Sequence, residues 1–294
     1  MSREHGIPLK YKRRQRIAVL ILIILIIVLA ALVNVIVKAV LGVVQPVMAD
    51  PGPCTVEYMK LMFNRYQNEN FTTQNGLKFY HQDGELRSRV GIDVSYAQKE
   101  IDWKKVKEDG IDFAMIRLGF RGYESGWLNL DEYFHKNISG AQAAGIETGV
   151  YFYSQAISEK EAEEEADFVL EQIKNYKITY PVAYDWEVVS GNEARTDNIS
   201  SETLNNCALA FCRKVEESGY KPVVYASLNL LRSQFDKYDI HIISEYDLWL
   251  AEYKDYPEYP YYFRMWQYTD EGKISGIDYP TDINVYFEIN PSTH

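Results

Sequence analysis

From residue 90 onward, short apolar runs alternate with helical patterns, and this alternation constrains the fold more than any other feature. Eight runs have the length and character of strands: Val90–Val94, Phe113–Leu118, Thr148–Tyr153, Val182–Asp185, Pro222–Ala226, Leu248–Ala251, Arg264–Tyr268 and Ile283–Phe287. Helical patterns cover Trp103–Glu108, Asp131–Ala144, Glu159–Tyr176, Glu202–Ser218 and Leu228–Phe235. Strand–helix alternation predicts a parallel sheet with right-handed crossovers.

Eight strands in about 200 residues are typical of a small α/β barrel of the TIM type. The segments that join the last three strands carry little helical pattern. We therefore expect an irregular TIM-type (β/α) barrel over residues 89–290, with few helices around the last strands. An open doubly wound sheet is the alternative, but no glycine-rich phosphate loop follows any early strand.

The N-terminal part of the chain predicts a membrane anchor. Residues 1–16 carry a basic cluster, and Ile17–Val37 is a run of 21 residues without a charge. About 20 apolar residues span a bilayer, so the run is long enough for a transmembrane helix. The basic flank precedes the span, which places the N-terminus in the cytosol and the barrel outside the cytoplasmic membrane. A secreted protein, cleaved near Ala49, is the alternative.

Residues 38–88 are interpreted as a juxtamembrane stalk between the anchor and the barrel. Within this segment, Gln67–Gly76 is polar and rich in Asn, Thr and Gln, which is typical of a loop.

The charge distribution excludes nucleic acid as a partner. Seven of the chain's 31 Lys and Arg residues and two of its 42 Asp and Glu residues lie in residues 1–50. The rest of the chain therefore holds 24 basic and 40 acidic side chains, a formal net charge of −16. Proteins that bind nucleic acid present basic surfaces, which this domain lacks.

The sequence contains no pattern for a metal site or another cofactor. No histidine pair has the spacing of metal ligands, no C-x-x-C motif occurs, and His135 and His241 stand alone. Cys207 and Cys212 are interpreted as small buried side chains of one helix. We therefore expect chemistry that needs only side chains and water.

Asp185-Trp186-Glu187 ends the fourth apolar run with two acids. Side chains alternate along a strand, so Asp185 and Glu187 point the same way, with Cα atoms roughly 6.5 Å apart. Carboxyl groups this close repel, and one should keep its proton at a higher pH than a free carboxyl group. A protonated acid beside a carboxylate is the pair of catalytic groups that glycoside hydrolases use. A solvated strand end with two unrelated acids is the structural alternative.

Two further acids lie at strand ends, where a parallel barrel collects its catalytic groups. Asp93 ends the first predicted strand. Asp282 instead opens the last one, so either it reaches the site from a loop or the predicted strand boundary is misplaced.

Aromatic residues cluster at the same strand ends, where their flat faces suit sugar rings and tyrosine hydroxyl groups add hydrogen bonds. They are Tyr151, Tyr153, Tyr184, Tyr225, Trp249, Tyr253, Trp266 and Tyr268. Some of them are expected to fill the barrel core instead. The candidate substrate-binding residues are Tyr153, Tyr225, Trp249, Trp266 and Gln267.

Six short motifs, in this order along the chain, resemble the glycoside hydrolase family 25 lysozymes, which are N-acetylmuramidases. They are Gly91-Ile92-Asp93-Val94-Ser95, Phe113-Ala114-Met115-Ile116-Arg117, Gly149-Val150-Tyr151-Phe152-Tyr153, Tyr184-Asp185-Trp186-Glu187, Leu248-Trp249-Leu250-Ala251 and Trp266-Gln267-Tyr268. The resemblance covers Arg89–Glu288. It implies that the chain's partner is peptidoglycan and that the bond cleaved is the β-1,4 bond between N-acetylmuramic acid and N-acetylglucosamine.

By this resemblance, the family's general acid falls on Glu187, its paired acid on Asp185, its first-strand acid on Asp93 and its late aspartate on Asp282. Two mechanisms stay open. In an inverting reaction Asp185 or Asp93 activates a water molecule, and the carboxyl groups stand about 6.5–9.5 Å apart. In a retaining reaction the substrate's acetamide attacks, and an aspartate only orients and stabilises it.

Two other functions also stay open. One is a barrel that binds wall glycan without cutting it, and the other is a hydrolase of another N-acetylated glycan such as chitin. The four acids favour the enzyme, because a binding module does not need them. The predicted anchor suggests trimming of wall polymer close to the cytoplasmic membrane, in cell-wall remodelling.

Overall fold

The structure, a computed structural model, describes residues 63–191, 193–231 and 237–289. Their strands are β1 (Phe71–Gln74), β2 (Leu77–Gln82), β3 (Glu85–Leu86), β4 (Ser88–Val94), β5 (Phe113–Arg121), β6 (Leu128–Leu130), β7 (Glu147–Tyr153), β8 (Val182–Asp185), β9 (Pro222–Ser227), β10 (Asp247–Ala251), β11 (Met265–Gly272) and β12 (Thr281–Phe287). Their α-helices are α1 (Trp103–Glu108), α2 (Phe134–Ala143), α3 (Glu159–Ile173), α4 (Ser201–Glu217), α5 (Leu228–Leu231) and α6 (Ile240–Ile243).

Eight of the strands close into a barrel. Its order is β4, β5, β7, β8, β9, β10, β11 and β12, and β12 returns to pair with β4. Neighbouring pairs from β4 round to β11 are parallel. All eight predicted strands are present, and the irregular TIM-type barrel is confirmed.

The last strand differs from the predicted parallel sheet. β12 runs antiparallel to both of its neighbours, β11 and β4. A parallel crossover needs a dozen or more residues, and the connection from β11 to β12 is only residues 273–280. The chain therefore turns straight back, and the first residues of β12 lie at the barrel end where the parallel strands finish.

The helices of the described residues all precede β10 in the chain, as the weak helical pattern after it predicts. At the start of α3 the Ser158 hydroxyl accepts a hydrogen bond from the backbone N–H of Glu161. Gly145 and Gly219 follow α2 and α4 with positive φ angles of 74° and 86°, which end a helix favourably. The predicted helix Leu228–Phe235 is described only as far as Leu231.

Two apolar layers hold the barrel. One fills its interior and includes Phe113, Met115 and Trp249, whereas the other lies outside the strands and includes Leu250. Side chains alternate along each strand, so successive residues such as Trp249 and Leu250 belong to different layers.

An N-terminal sheet of β1, β2 and β3 packs on the outside of the barrel. Tyr80 of β2 is buried and contacts the rings of Tyr66 and Phe287 edge to face, at centroid distances of 5.3 and 5.5 Å. Phe71 of β1 contacts the ring of Trp266 in the same way at 5.6 Å. Because Phe287 and Trp266 belong to β12 and β11, the sheet covers the barrel side that has no helices of its own.

The interpretation of Gln67–Gly76 as a loop was wrong. Asn75 and Gly76 form the two-residue turn of the β1–β2 hairpin, with φ angles of 52° and 82°. Two positive φ angles define a type I′ turn, for which Asn-Gly is the strongest sequence signal. The flanking strand residues are mostly exposed and polar, which hid this signal. From Phe63 onward, the segment predicted as a stalk packs against the barrel.

The predicted transmembrane helix, Ile17–Val37, lies outside the described residues, as does the alternative cleavage position near Ala49. Within the described ranges, no helix combines the length and the apolar character needed to cross a bilayer.

Candidate active site

Four acidic side chains meet at the end of the barrel where the parallel strands finish. Asp93 lies near the end of β4, Asp185 ends β8, and Glu187 follows two residues later. Asp282 is the second residue of β12, and its Cα pairs with that of Asp93. The antiparallel direction of β12 therefore explains how an acid at the start of a strand joins acids at the ends of others.

Asp93 is held as a hydrogen-bond acceptor. Its Oδ2 accepts from Gln267 Nε2 at 2.9 Å and from Asn284 Nδ2 at 2.8 Å. Burial raises the pKa of Asp93 to about 6, although the hydrogen bonds from the two amides lower it. The negative charge of Glu187 adds to the rise. Amide donors favour the ionised carboxylate, so Asp93 is the member of the cluster that is best prepared to carry a negative charge.

A second set of hydrogen bonds fixes the two amides. Gln267 Oε1 accepts from the hydroxyl groups of Tyr225 and Tyr253, both at 3.0 Å. Asn284 Oδ1 accepts from Trp249 Nε1 at 2.8 Å. Each amide oxygen is thus occupied by donors, and each NH₂ group is left to face Asp93.

Asp185 has the opposite surroundings. Its side chain is buried, and its Oδ1 has no hydrogen-bond partner among the described residues. Burial is the main cause that raises the pKa of Asp185 well above its usual value, and the charges of Glu187 and Asp93 add to the rise. The positive charge of Arg117 lowers this pKa, but by less. Arg117 is engaged elsewhere, since its Nε donates to Asp131 Oδ2 at 2.8 Å. A buried carboxyl group that lacks hydrogen-bond donors and lies close to other acids favours its protonated form.

Glu187 and Asp282 are only partly buried, at the rim of the mouth. Burial, followed by the charge of Asp282, raises the pKa of Glu187. Burial and the charge of Asp93 raise the pKa of Asp282 to about 8. In the described part of the chain no lysine or arginine forms an ion pair with these two acids. Burial and mutual repulsion therefore favour the protonated forms of these two acids, and Glu187 lies at the rim, within reach of solvent.

Tyr153 lies beside the acids and is partly exposed. Burial, followed by the charges of Glu187 and Asp185, raises the pKa of Tyr153, so its hydroxyl group stays protonated and can donate a hydrogen bond. A proton donor, a fixed carboxylate and hydroxyl donors at one mouth suit the cleavage of a glycosidic bond.

Within the described ranges, no three His, Cys, Asp or Glu side chains are arranged to hold a metal ion.

Comparison with known proteins shows the family. The model of the glycosyl hydrolases family 25 matches residues 92–277, more than half of the chain. This chain belongs to glycosyl hydrolase family 25. It is therefore a glycoside hydrolase, as the motifs of the sequence imply. The matched residues include Asp93, Asp185 and Glu187, whereas Asp282 lies beyond them.

Relatives and a solved structure agree with this membership. YegX of Escherichia coli K12 is 28% identical over 202 residues, which cover 67% of this chain and 68% of YegX. The autolytic lysozyme of Clostridium acetobutylicum is 26% identical over 199 residues, 67% of this chain and 56% of the lysozyme. The modular autolysin LytC of Streptococcus pneumoniae is 28% identical with a TM-score of 0.59, covering 74% of this chain and 52% of LytC. This chain thus spans about half of the LytC chain, whose structure is also known with a synthetic peptidoglycan ligand.

One predicted substrate-binding residue of this family 25 barrel lies outside the mouth. Trp266 is fully buried in the outer layer, against Phe71, and its Nε1 donates to the backbone oxygen of Glu252 at 2.8 Å. Its neighbour Gln267 points into the barrel instead. The prediction for Trp266 fails because the aromatic pattern alone does not show which face of a strand a residue occupies.

Tyr153, Tyr225 and Gln267 do lie at the mouth of the family 25 barrel. Trp249 lies beneath it, almost completely buried, and supports Asn284 rather than offering an open face to a sugar.

Asn284 was missed by the sequence analysis, although it contacts Asp93 directly. The signal was present, because Asn284 stands two residues after Asp282 and therefore on the same face of β12.

Proposed function

We propose that this chain is an N-acetylmuramidase that cleaves the β-1,4 bond between N-acetylmuramic acid and N-acetylglucosamine in peptidoglycan. The observation that carries the proposal is the cluster of Asp93, Asp185, Glu187 and Asp282 at one barrel mouth. The relatives named as a lysozyme and an autolysin support this choice of substrate, as does the peptidoglycan ligand of LytC.

Glu187 acts as the general acid in this proposal. Burial raises its pKa, which favours the protonated form that a general acid needs, and its place at the rim lets it approach the substrate. The proton passes to the glycosidic oxygen while the bond from C1 to that oxygen breaks. The positive charge that develops on the sugar ring is stabilised by Asp93, whose amide donors favour its ionised form.

Asp185 distinguishes the two mechanisms that the sequence leaves open. Its Oδ1 is a buried acceptor without a donor among the described residues. The N–H of a substrate acetamide would supply that donor, which would orient the carbonyl oxygen of the acetamide for attack on C1 as the glycosidic bond breaks. The unpaired oxygen of Asp185 therefore favours the acetamide-assisted route. The newly formed reducing end should then keep the β configuration, which proton NMR of the first product reports. An α product would instead indicate direct attack by water.

The substitution Glu187→Gln tests the proposal, because an amide cannot donate the proton. We expect the loss of wall-degrading activity to be on the order of a thousandfold, in the range of general acid catalysis. The measurement is the loss of turbidity of a purified cell-wall suspension, with mass spectrometry of the reducing ends. Glu163→Gln, at an exposed position of α3, is the matched control.

Each other outcome supports a different function. Unchanged turnover by E187Q would refute the role of Glu187. Binding of walls by the unmodified protein without any cleavage would favour a glycan-binding barrel, and cleavage of chitin in preference to walls would favour another N-acetylated substrate.

We further propose that Ile17–Val37 anchors the protein in the cytoplasmic membrane, with the barrel outside, where it remodels nearby cell wall. The proposal is supported by the uncharged 21-residue run and the basic residues before it. Cell fractionation should find the protein in the membrane fraction. Recovery of a shortened protein from the medium would contradict the anchor and favour cleavage near Ala49.

A further inference from the structure

A groove of about 730 Å³ lies between the N-terminal sheet and the barrel. One wall is the β1–β2 turn, residues 75–78, and the other is formed by residues 253–255 after β10 and by the end of β11 up to Lys273. A volume of this size is in the range of sites that bind small ligands. Its first wall lies outside residues 92–277, the part of the chain that matches the family.

Hydrogen bonds connect the two walls to each other. The Tyr268 hydroxyl group accepts from the backbone N–H of Lys78 at 3.3 Å and donates to the backbone oxygen of Gly76 at 3.4 Å. Lys78 Nζ donates to the backbone oxygen of Asp255 at 2.9 Å and lies 5.6 Å from the centre of the Tyr268 ring. The groove is therefore preformed, which lowers the entropic cost of binding.

The groove adjoins the active site through Tyr253. This side chain is half exposed and lines the groove, and its hydroxyl group donates to Gln267, which in turn donates to Asp93. A molecule in the groove thus lies next to the catalytic cluster. The occupant should be a part of the substrate that branches away from the cleaved bond.

The end of β11 offers an unpaired strand edge beside this groove. β10 pairs with β11 only as far as Ala251 opposite Gln267, whereas β11 continues to Gly272. Among the described residues, no strand pairs with that edge beyond Gln267, and of its backbone groups the N–H of Glu271 donates to Thr269 Oγ1 at 3.1 Å. Extended peptides bind such edges through their backbone groups, and pockets for their side chains add specificity.

Two opposite charges line the groove at the same end of β11. Glu271 and Lys273 are exposed, and neither side chain has an ion-pair partner in the described part of the chain. The other two lysines of the groove are engaged, Lys78 with Asp255 and Lys254 with Glu258. A ligand that complements the groove therefore carries both a cationic and an anionic group.

We propose that the groove binds the stem peptide of peptidoglycan, the short peptide that branches from N-acetylmuramic acid. This peptide has backbone amides for the free edge of β11, carboxylates for Lys273 and the ammonium group of its diamino acid for Glu271. The inference rests on the proposed function, since only a peptidoglycan substrate carries this branch. It makes the stem peptide a second recognition element next to the cleaved bond.

The charge reversal Lys273→Glu tests the groove with two measurements on the full-length protein. One is calorimetric binding of a synthetic stem peptide that contains D-glutamate and a diamino acid. The other is the ratio of kcat/KM on intact walls to kcat/KM on walls whose stem peptides an amidase has removed. We expect K273E to weaken peptide binding and to lower this ratio, each roughly tenfold, the effect of losing one charge pair.

Lys160→Glu is the matched control, because it makes the same charge change at an exposed position of α3, whose residues do not line the groove. If K273E and K160E behave alike, or if the unmodified protein binds no stem peptide, the groove proposal is overturned. An unmodified protein that binds the peptide but cleaves neither wall would support the groove and contradict the muramidase proposal.

Discussion

Asp93 and Asp185 are the same side chain in two different surroundings, and the difference lies in their hydrogen bonds. Asp93 accepts two amide hydrogen bonds, which favour its carboxylate. Asp185 is equally buried but has an oxygen without a donor among the described residues. Burial raises the pKa of both, and the hydrogen bonds decide which of them is ionised more easily.

The substitution Gln267→Met should shift the pH dependence of activity. It removes an amide donor that lowers the pKa of Asp93, so this pKa should rise from about 6. Because Asp93 acts as a carboxylate in the proposed mechanism, the acidic limb of kcat/KM against pH should move to higher pH, by roughly one unit.

The control for this shift is Gln142→Met, at an amide that bonds Thr148 near the start of β7, the opposite end of the barrel. An acidic limb that stays in place in Q267M would show that the Gln267 amide does not tune Asp93.

At the scale of elements, the N-terminal sheet covers the outer face of the last barrel strands, as helices cover the earlier ones. No α-helix follows β10 in the described residues, and β1 and β2 cover β11 and β12 instead. The sheet also forms one wall of the groove beside the active site. A hairpin that looks like a stalk in the sequence is thus part of the packed domain.

Tyr80→Ala should therefore destabilise the whole barrel. The Tyr80 ring is buried against Tyr66, Phe71 and Phe287, and its removal leaves a cavity between the sheet and the barrel. We expect a loss of about 3 kcal/mol in the free energy of unfolding, as for other buried aromatic side chains. Urea unfolding followed by tryptophan fluorescence measures it.

Thr73→Ala, at an exposed position of the same sheet, is the control for Y80A and should change stability little. Equal stabilities of the two variants would mean that the sheet does not contribute to the barrel.

For the molecule as a whole, the partly buried Asp282 should lower the free energy of unfolding at high pH. Burial raises the pKa of Asp282 to about 8, whereas an unfolded aspartate titrates near 4. Between these values the folded state binds more protons than the unfolded state, so the free energy of unfolding falls as the pH rises. The charge repulsion among these acids is thus present before any substrate binds.

Asp282→Asn should remove part of this pH dependence, because an amide stays neutral at every pH. Between pH 5 and pH 8 we expect the unmodified protein to lose about 1–3 kcal/mol more stability than D282N loses. Urea unfolding at the two pH values measures the difference. Asp278→Asn, at an exposed position, should behave like the unmodified protein. A D282N variant that loses as much as the unmodified protein would contradict the shifted pKa.

The local pattern of the sequence was enough to predict the barrel strands and to place three of the four acids at strand ends. Apolar runs and helix caps act over a few residues, and these features appear directly in the sequence. Trp266 shows the limit. Which face a strand residue occupies depends on its register with neighbouring strands, and the same short motif is compatible with either face.

By itself the sequence determined the eight barrel strands, the longer helices between them, the family motifs and the acids, because each of these is a pattern within a short stretch of chain. Only the tertiary structure decided that β12 runs antiparallel and brings Asp282 beside Asp93. It also decided that Gln267 and Asn284 hold Asp93, that the N-terminal sheet covers the barrel, and that a groove forms between them. These features join residues far apart in the sequence, such as Asn284 and Asp93, which are 191 positions apart, and such contacts depend on how the whole chain closes.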